Sequence, residues 1–105
     1  DHYELQFATN GEEAIEQSNE QNPDALILDI KMPLVNGLEA LRRIRKACPK
    51  LPILMITGYE ASEIAQQAFR LGASEYLVKP FRRHQVLGKL ENILKGLPPE
   101  PVPDS

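Results

Sequence analysis

Residues 25–30 read Ala25-Leu26-Ile27-Leu28-Asp29-Ile30, four apolar residues in a row before a carboxylate interrupts them. A strand with one wet face alternates apolar and polar residues, so an unbroken apolar run reads as a parallel strand covered on both sides. Downstream come a Met32-Pro33 loop and Asn36-Gly37, a turn signal. The helix after it carries Leu38, Leu41, Ile44 and Cys48 on one stripe. The cycle then repeats. Residues 52–57 form a second buried strand ended by Gly58, and residues 61–71 a helix with Ile64, Ala68 and Leu71 inward, closed by Gly72. Residues 75–78 form a third strand, stopped by Lys79-Pro80, and residues 82–95 a helix packing Val86, Leu90 and Ile93. Upstream, residues 3–8 alternate as an edge strand does. Asn10-Gly11 punctuates, and residues 12–20 read as a short acidic helix with Ala14 and Ile15 inward. Strand–helix units recurring about every 25 residues predict an open parallel α/β sheet with right-handed crossovers. The predicted domain is 1–96. The tail 97–105, with Pro98, Pro99, Pro101 and Pro103, reads as a stiff linker or frayed end.

Composition supports one domain: 105 residues, 42% apolar and 26% charged. The longest uncharged stretch outside the turns, Leu51 to Tyr59, falls far short of the ~20 residues of a membrane span. Asp1-His2-Tyr3-Glu4 lacks the basic start of a signal peptide. Cys48 is the single cysteine, which removes any intrachain disulfide and any cysteine-built zinc site. A cytoplasmic, non-membrane protein is the expectation. The net charge of −3 gives no reason to expect direct nucleic-acid binding. Charge is unevenly spread: residues 1–30 hold eight acids and no Lys or Arg, and all 12 basic residues lie between Lys31 and Lys95. Solvated helix faces account for most of this.

In open parallel sheets ligands bind beyond the carboxyl ends of the strands. Three polar residues stand there: Asp29, Thr57 and Lys79, 28 and 22 residues apart, one strand–helix unit each. Singly, an Asp caps turns, a Thr builds strands and a Lys before Pro is solvated. Together they bring a carboxylate, a hydroxyl and a cation to one edge, within a few ångströms by expectation. That set suits a carboxylate that takes a phosphoryl group, with Thr57 and Lys79 meeting the phosphoryl oxygens where charge develops.

Asp29-Ile-Lys-Met-Pro-Leu-Val-Asn-Gly37, Met55-Ile-Thr-Gly58 and Gly72-Ala-Ser-Glu-Tyr-Leu-Val-Lys-Pro-Phe81 together resemble the receiver domain of two-component response regulators. The resemblance runs from about Tyr3 to Lys95. It implies a flavodoxin-like doubly wound sheet of family strand order 2-1-3-4-5 and a phosphorelay role in which a sensor histidine kinase phosphorylates Asp29. It further implies that Thr57 and Lys79 bind the phosphoryl group, that Lys79-Pro80 is cis, and that Tyr76 is the switch aromatic. An output domain or downstream protein is the implied target. Phe69 lies about 130° from the stripe of its helix at 100° per residue. Beside Tyr76 it marks a partner-facing spot.

One departure concerns Mg²⁺. The family's first strand, which ends in an acidic pair, and its first helix have no counterpart here, so the expected metal ligands shrink to Asp29 and the backbone carbonyl of Lys31. One carboxylate and one carbonyl make a poor Mg²⁺ site. Strand 3–8 is accordingly expected to lack its neighbour and to leave an edge open to association. A shift into the vacant slot is disfavoured by the burial of Glu4 and Gln6. Two other readings compete: a phosphorylation-silent interaction domain, and a phosphohydrolase resembling the haloacid dehalogenase group. The latter needs a general acid two residues after its nucleophile, where this chain has Lys31. His2 and His84 are expected to be inert, Cys48 to be a small core residue, and Arg42, Arg43, Arg45 and Lys46 to form an exposed basic cluster.

Overall fold

The computed structural model describes residues 3–21, 23–29, 34–58 and 62–96. His2, the Lys31 carbonyl, the Met32-Pro33 loop and the tail 97–105 lie outside them. In chain order the elements are β1 (Leu5–Ala8), α1 (Gly11–Gln21), β2 (Ala25–Asp29), α2 (Leu34–Ala47), β3 (Ile53–Thr57), α3 (Ser62–Arg70), β4 (Glu75–Val78) and α4 (Arg83–Leu94). The strands form one parallel sheet in the order β1-β2-β3-β4.

Two expectations need correction. Asn36-Gly37, read as a turn, lies in the first turn of α2. First-turn N–H groups have no intrahelical acceptor, so turn-forming residues are tolerated there. The larger correction concerns β1. It does not stand without a neighbour: Leu5, Gln6, Phe7 and Ala8 pair in register with Ala25, Leu26, Ile27 and Leu28. The pairing is started by two bonds at the strand entrances, Asp24 N donating to Glu4 O at 2.7 Å and Glu4 N donating to Asp24 Oδ2 at 2.7 Å. The polar groups on the edge of the fully buried strand β2 would otherwise go unpaired, and that cost exceeds the one set against the shift. The shift is also cheap. β1 becomes an edge strand, so Glu4 stays exposed and Gln6 only half-buried.

Alternation along the strands sorts the core into two layers. Leu26, Leu28, Ile53, Met55 and Tyr76 face α1, α2 and α3, where Ala14, Leu38, Leu41, Ile44, Ala65 and Ala68 meet them. Ala25, Ile27, Leu54, Ile56 and Leu77 face α4, with Leu90 and Ile93. Helix entry and exit follow local chemistry. Asn10 caps α1, its Oδ1 accepting from Glu13 N at 2.8 Å, while Glu13 Oε1 accepts from Thr9 N at 2.9 Å. At the end of α3, Gly72 takes φ 114°. Gly72 N donates to Phe69 O and Ala73 N to Ala68 O, the paired bonds of a glycine helix terminus. A Cβ at Gly72 would also lie 2.6 Å from Arg45 Cγ, so both the backbone and the neighbour require glycine.

Candidate functional site

Parallel register brings the carboxyl ends of β2, β3 and β4 to one edge. Asp29 pairs with Ile56, Thr57 pairs with Val78, and Lys79 N donates to Thr57 O at 2.8 Å. From there the Lys79 side chain crosses in front of β3, and its Nζ sits 2.6 Å from Asp29 Oδ1. The carboxylate and the cation, 50 residues apart in the chain, are thus in direct contact, as their shared strand-end position predicts. Both remain partly open to solvent, with side chains 37% and 30% exposed for Lys79 and Asp29. Asp29 Oδ1 itself is closed off from water and takes no aligned hydrogen bond. The charge of the ammonium, rather than a directed donor, balances it. The Lys79–Pro80 peptide is cis, as the resemblance implies.

Thr57 is fully buried at the end of β3, on the side of the sheet that carries Tyr76. Tyr76 is buried too, and loss of solvent pushes its phenol up to about 12. Its ring meets that of Phe69 at a centroid distance of 6.5 Å and a tilt of 57°. Phe69 therefore lies beside Tyr76 as expected. Its ring is half-buried against the three-helix core rather than standing out into solvent.

Among the described residues, no three His, Cys, Asp or Glu side chains cluster so as to hold a metal ion. Asp29 offers one carboxylate, and the buried oxygen of that carboxylate already faces an ammonium. Mg²⁺ binds through carboxylates and keeps near-ideal octahedral oxygen geometry. The described residues do not fit it.

The family model of the response regulator receiver domain matches residues 1–91. The chain belongs to this family. It is 34% identical over 103 residues to the response regulator MprA of Mycobacterium leprae, covering 98% of this chain and 45% of that protein. The chain thus spans about half the length of the curated relatives it matches. Among solved structures, a LuxR-family two-component response regulator from Aurantimonas superposes with a TM-score of 0.84 at 24% identity, over 95% of this chain and 90% of that one. The receiver domain of NtrX from Brucella abortus superposes with a TM-score of 0.71 at 30% identity, over 84% and 75%. The flavodoxin-like receiver fold is therefore shown, and the phosphohydrolase reading is set aside. Receiver domains act generally as signalling modules in phosphorelays rather than as turnover enzymes, and as a class they bind Mg²⁺ at the phosphorylation site. Response regulators are phosphorylated by sensor histidine kinases and often carry output domains. No helix among the described residues of this receiver is long and apolar enough to cross a membrane.

Two structural residues escaped the sequence reading. Arg45, counted with the exposed basic cluster, turns inward and holds two helix ends. Its Nε and Nη2 donate to Gly72 O at 3.1 and 2.7 Å, and its Nη1 to Cys48 O at 3.0 Å and Pro49 O at 2.9 Å. Helix C-termini present unpaired carbonyls, and a forked cation answers several at once. Position gave no signal, since Arg42 follows the buried Leu41 just as Arg45 follows the buried Ile44. Glu75 is the second case. It is buried under α4, 3.3 Å from Lys89 Nζ. Its strand parity with Leu77 gave the inward direction, but a charged residue there reads as solvent-facing unless its partner is known.

Proposed function

We propose that this chain is a phosphoacceptor receiver module in which Asp29 takes the phosphoryl group and the state of the site is read on the face carrying Tyr76 and Phe69. The observation that carries the reading is the 2.6 Å contact of Lys79 Nζ with Asp29 Oδ1 at the carboxyl edge of the sheet. With Oδ1 closed to water, Oδ2 is the oxygen left for attack on phosphorus. A new O–P bond forms there as the phosphohistidine P–N bond of the donor breaks, and the imidazole nitrogen leaves with the electron pair. Lys79 neutralises charge that builds on the transferred oxygens, which is the main task in phosphoryl transfer. In this reading the hydroxyl of Thr57, at the end of the neighbouring strand, donates to one of those oxygens. Its movement toward the phosphoryl group would vacate space on the side of the sheet where Tyr76 sits. The partners are a sensor histidine kinase and an output domain or downstream protein, the setting is the cytoplasm, and the chain turns over no substrate. Residues 1–96 form the module and 97–105 its linker.

The test is intact-mass spectrometry after incubation with acetyl phosphate, and separately with a phosphorylated histidine donor, each with Mg²⁺ and with a chelator. The expected result is a single, slowly formed, hydroxylamine-labile adduct that is lost in Asp29→Asn and changes little on chelation. An adduct that persists in Asp29→Asn overturns the assignment of Asp29. No adduct from either donor overturns the phosphoacceptor reading in favour of a silent interaction domain.

A further inference from the structure

A cavity of about 390 Å³ opens at the amino edge of the sheet, opposite the edge that carries Asp29 and Lys79. It lies where β3 and β4 begin and where α2, α3 and α4 end. Leu51, Pro52, Ala73 and Ile93 give it an apolar lining. Two cations line it as well, Arg45 and Lys50, and no Asp or Glu does. Arg45 is half-buried and directs its donors at the carbonyls of Cys48, Pro49 and Gly72, which leaves one Nη2 hydrogen without a partner among the described residues. Burial lowers the pKa of its guanidinium, and no carboxylate among the described residues opposes that shift. Lys50 is exposed, and it too has no ion-pair partner among the described residues. The cavity therefore suits an occupant that is apolar in one part and acidic in another.

The chain supplies such an occupant. Helix α4 ends at Leu94, and Gly96, on the rim of the cavity, takes φ 72°. A Cβ at Gly96 would meet nothing, so the backbone and not the space requires glycine there. Gly96 N donates to Ile93 O at 3.2 Å. This is a bond of the glycine helix terminus, in which the residue after the glycine is turned back on the end of its own helix. That residue is Leu97, and the helix end carries Ile93 of the cavity lining. Pro98 and Pro99 follow, then Glu100. Prolines favour an extended course, on which four residues span about 12 Å. We propose that residues 97–100 dock in this cavity, with Leu97 against Ile93 and Leu51, and the Glu100 carboxylate against Lys50 and the remaining Nη2 hydrogen of Arg45. The paired prolines reduce the entropy lost on docking. The docked segment fastens the start of the linker to the ends of α2 and α3 as well as to α4. The assignment of Asp29 as phosphoacceptor plays no part in it, so either can fail without the other.

Nuclear magnetic relaxation of the isotope-labelled 105-residue chain tests this. The expected order parameter of the Glu100 amide is about 0.8, as in the helices, and Leu97→Ser lowers it below about 0.6. Glu100→Lys and Lys50→Glu each lower the order of residue 100 in the same way, and the two together restore it. Each release also moves the amide signals of Gly72, Ala73 and Ser74 along the cavity wall. Those of β1, two strands away, stay in place and confirm that each variant folds. A Glu100 amide with an order parameter below about 0.6 in the unsubstituted chain overturns the proposal. An ordered Glu100 that is indifferent to Leu97→Ser or to the charge exchange also overturns it, and places the segment on another surface.

Discussion

The two faces of the sheet are built to different standards. On one, α1, α2 and α3 cover four strands, and Leu26, Leu28, Ile53 and Met55 are sealed from water. On the other, α4 spans β2 to β4, and β1 carries Phe7 largely bare. Yet β1 is paired along its whole length with β2. A strand can therefore be held by its ladder and by one covered face, here through Ala8 beneath the three helices. The residues proposed to carry the signal divide along the same line. Thr57, Tyr76 and Phe69 belong to the thick face, so the part of the domain expected to switch is also its best-packed part.

The contrast is sharpest between neighbours on one strand. Leu28 and Ile27 are both sealed, but Leu28 points into the thick face and Ile27 toward α4. Leu28→Ala should cost about 4 kcal/mol, because three helices and a sheet cannot collapse into the space it leaves. Ile27→Ala should cost about 2–3 kcal/mol, since a single helix covers that face and can settle into the space. Denaturant titrations of the two variants compare them directly. Equal losses would show that the α4 face is as tightly closed as the other.

A smaller effect probes how α4 is fastened. Lys89 stands 3.3 Å from a Glu75 that is 1% exposed. Removing one member of such a pair leaves a charge in the wrong medium, whereas removing both is nearly neutral. Lys89→Met should therefore cost about 2 kcal/mol, and Glu75→Gln combined with Lys89→Met should recover most of it. If the double variant is as unstable as the single, Glu75 is held by other groups and the pair does not anchor the helix.

The strand–helix alternation was legible because each buried strand is a short apolar run and each helix repeats its apolar stripe. The strand-end site was legible because parallel topology converts equal spacing into a shared edge, and Lys79 does meet Asp29 there. The pairing of β1 was not. Its sequence specifies an edge strand but not which neighbour it takes, and the decision rests on the unmet backbone groups of β2. The inward turn of Arg45 was hidden for a related reason: its partners are carbonyls of two helix ends that come together only in the folded chain.

Next in size is a pH effect on the thick face. The Tyr76 phenol titrates at about 12 in the folded chain because burial disfavours its anion, against about 10 when unfolded. Below pH 10 both states hold the proton and stability is unaffected. Between these values the unfolded chain releases a proton that the folded chain keeps, so stability falls as pH rises. The loss should be on the order of 1 kcal/mol toward pH 12, and Tyr76→Phe should lack it. Ultraviolet titration of tyrosinate gives the independent check. A Tyr76 that ionises near pH 10, as a solvated phenol does, would mean that the thick face opens at its edge.

The smallest expected effect isolates what holds β1. Phe7 is as large as any core residue, but at 65% exposure it contributes little burial, and the strand is fixed by four register pairs with β2 and by Ala8 and Leu5. Measured by denaturation at protein concentrations dilute enough to keep the chain monomeric, Phe7→Ser should change stability by no more than about 0.5 kcal/mol, as exposed positions do. Beside the loss at Leu28, one residue from the pairing partner of Phe7, this would show that apolar size counts only where a second layer covers it. A loss above about 1 kcal/mol in the dilute chain would break the comparison, because Phe7 would then be covered within the monomer.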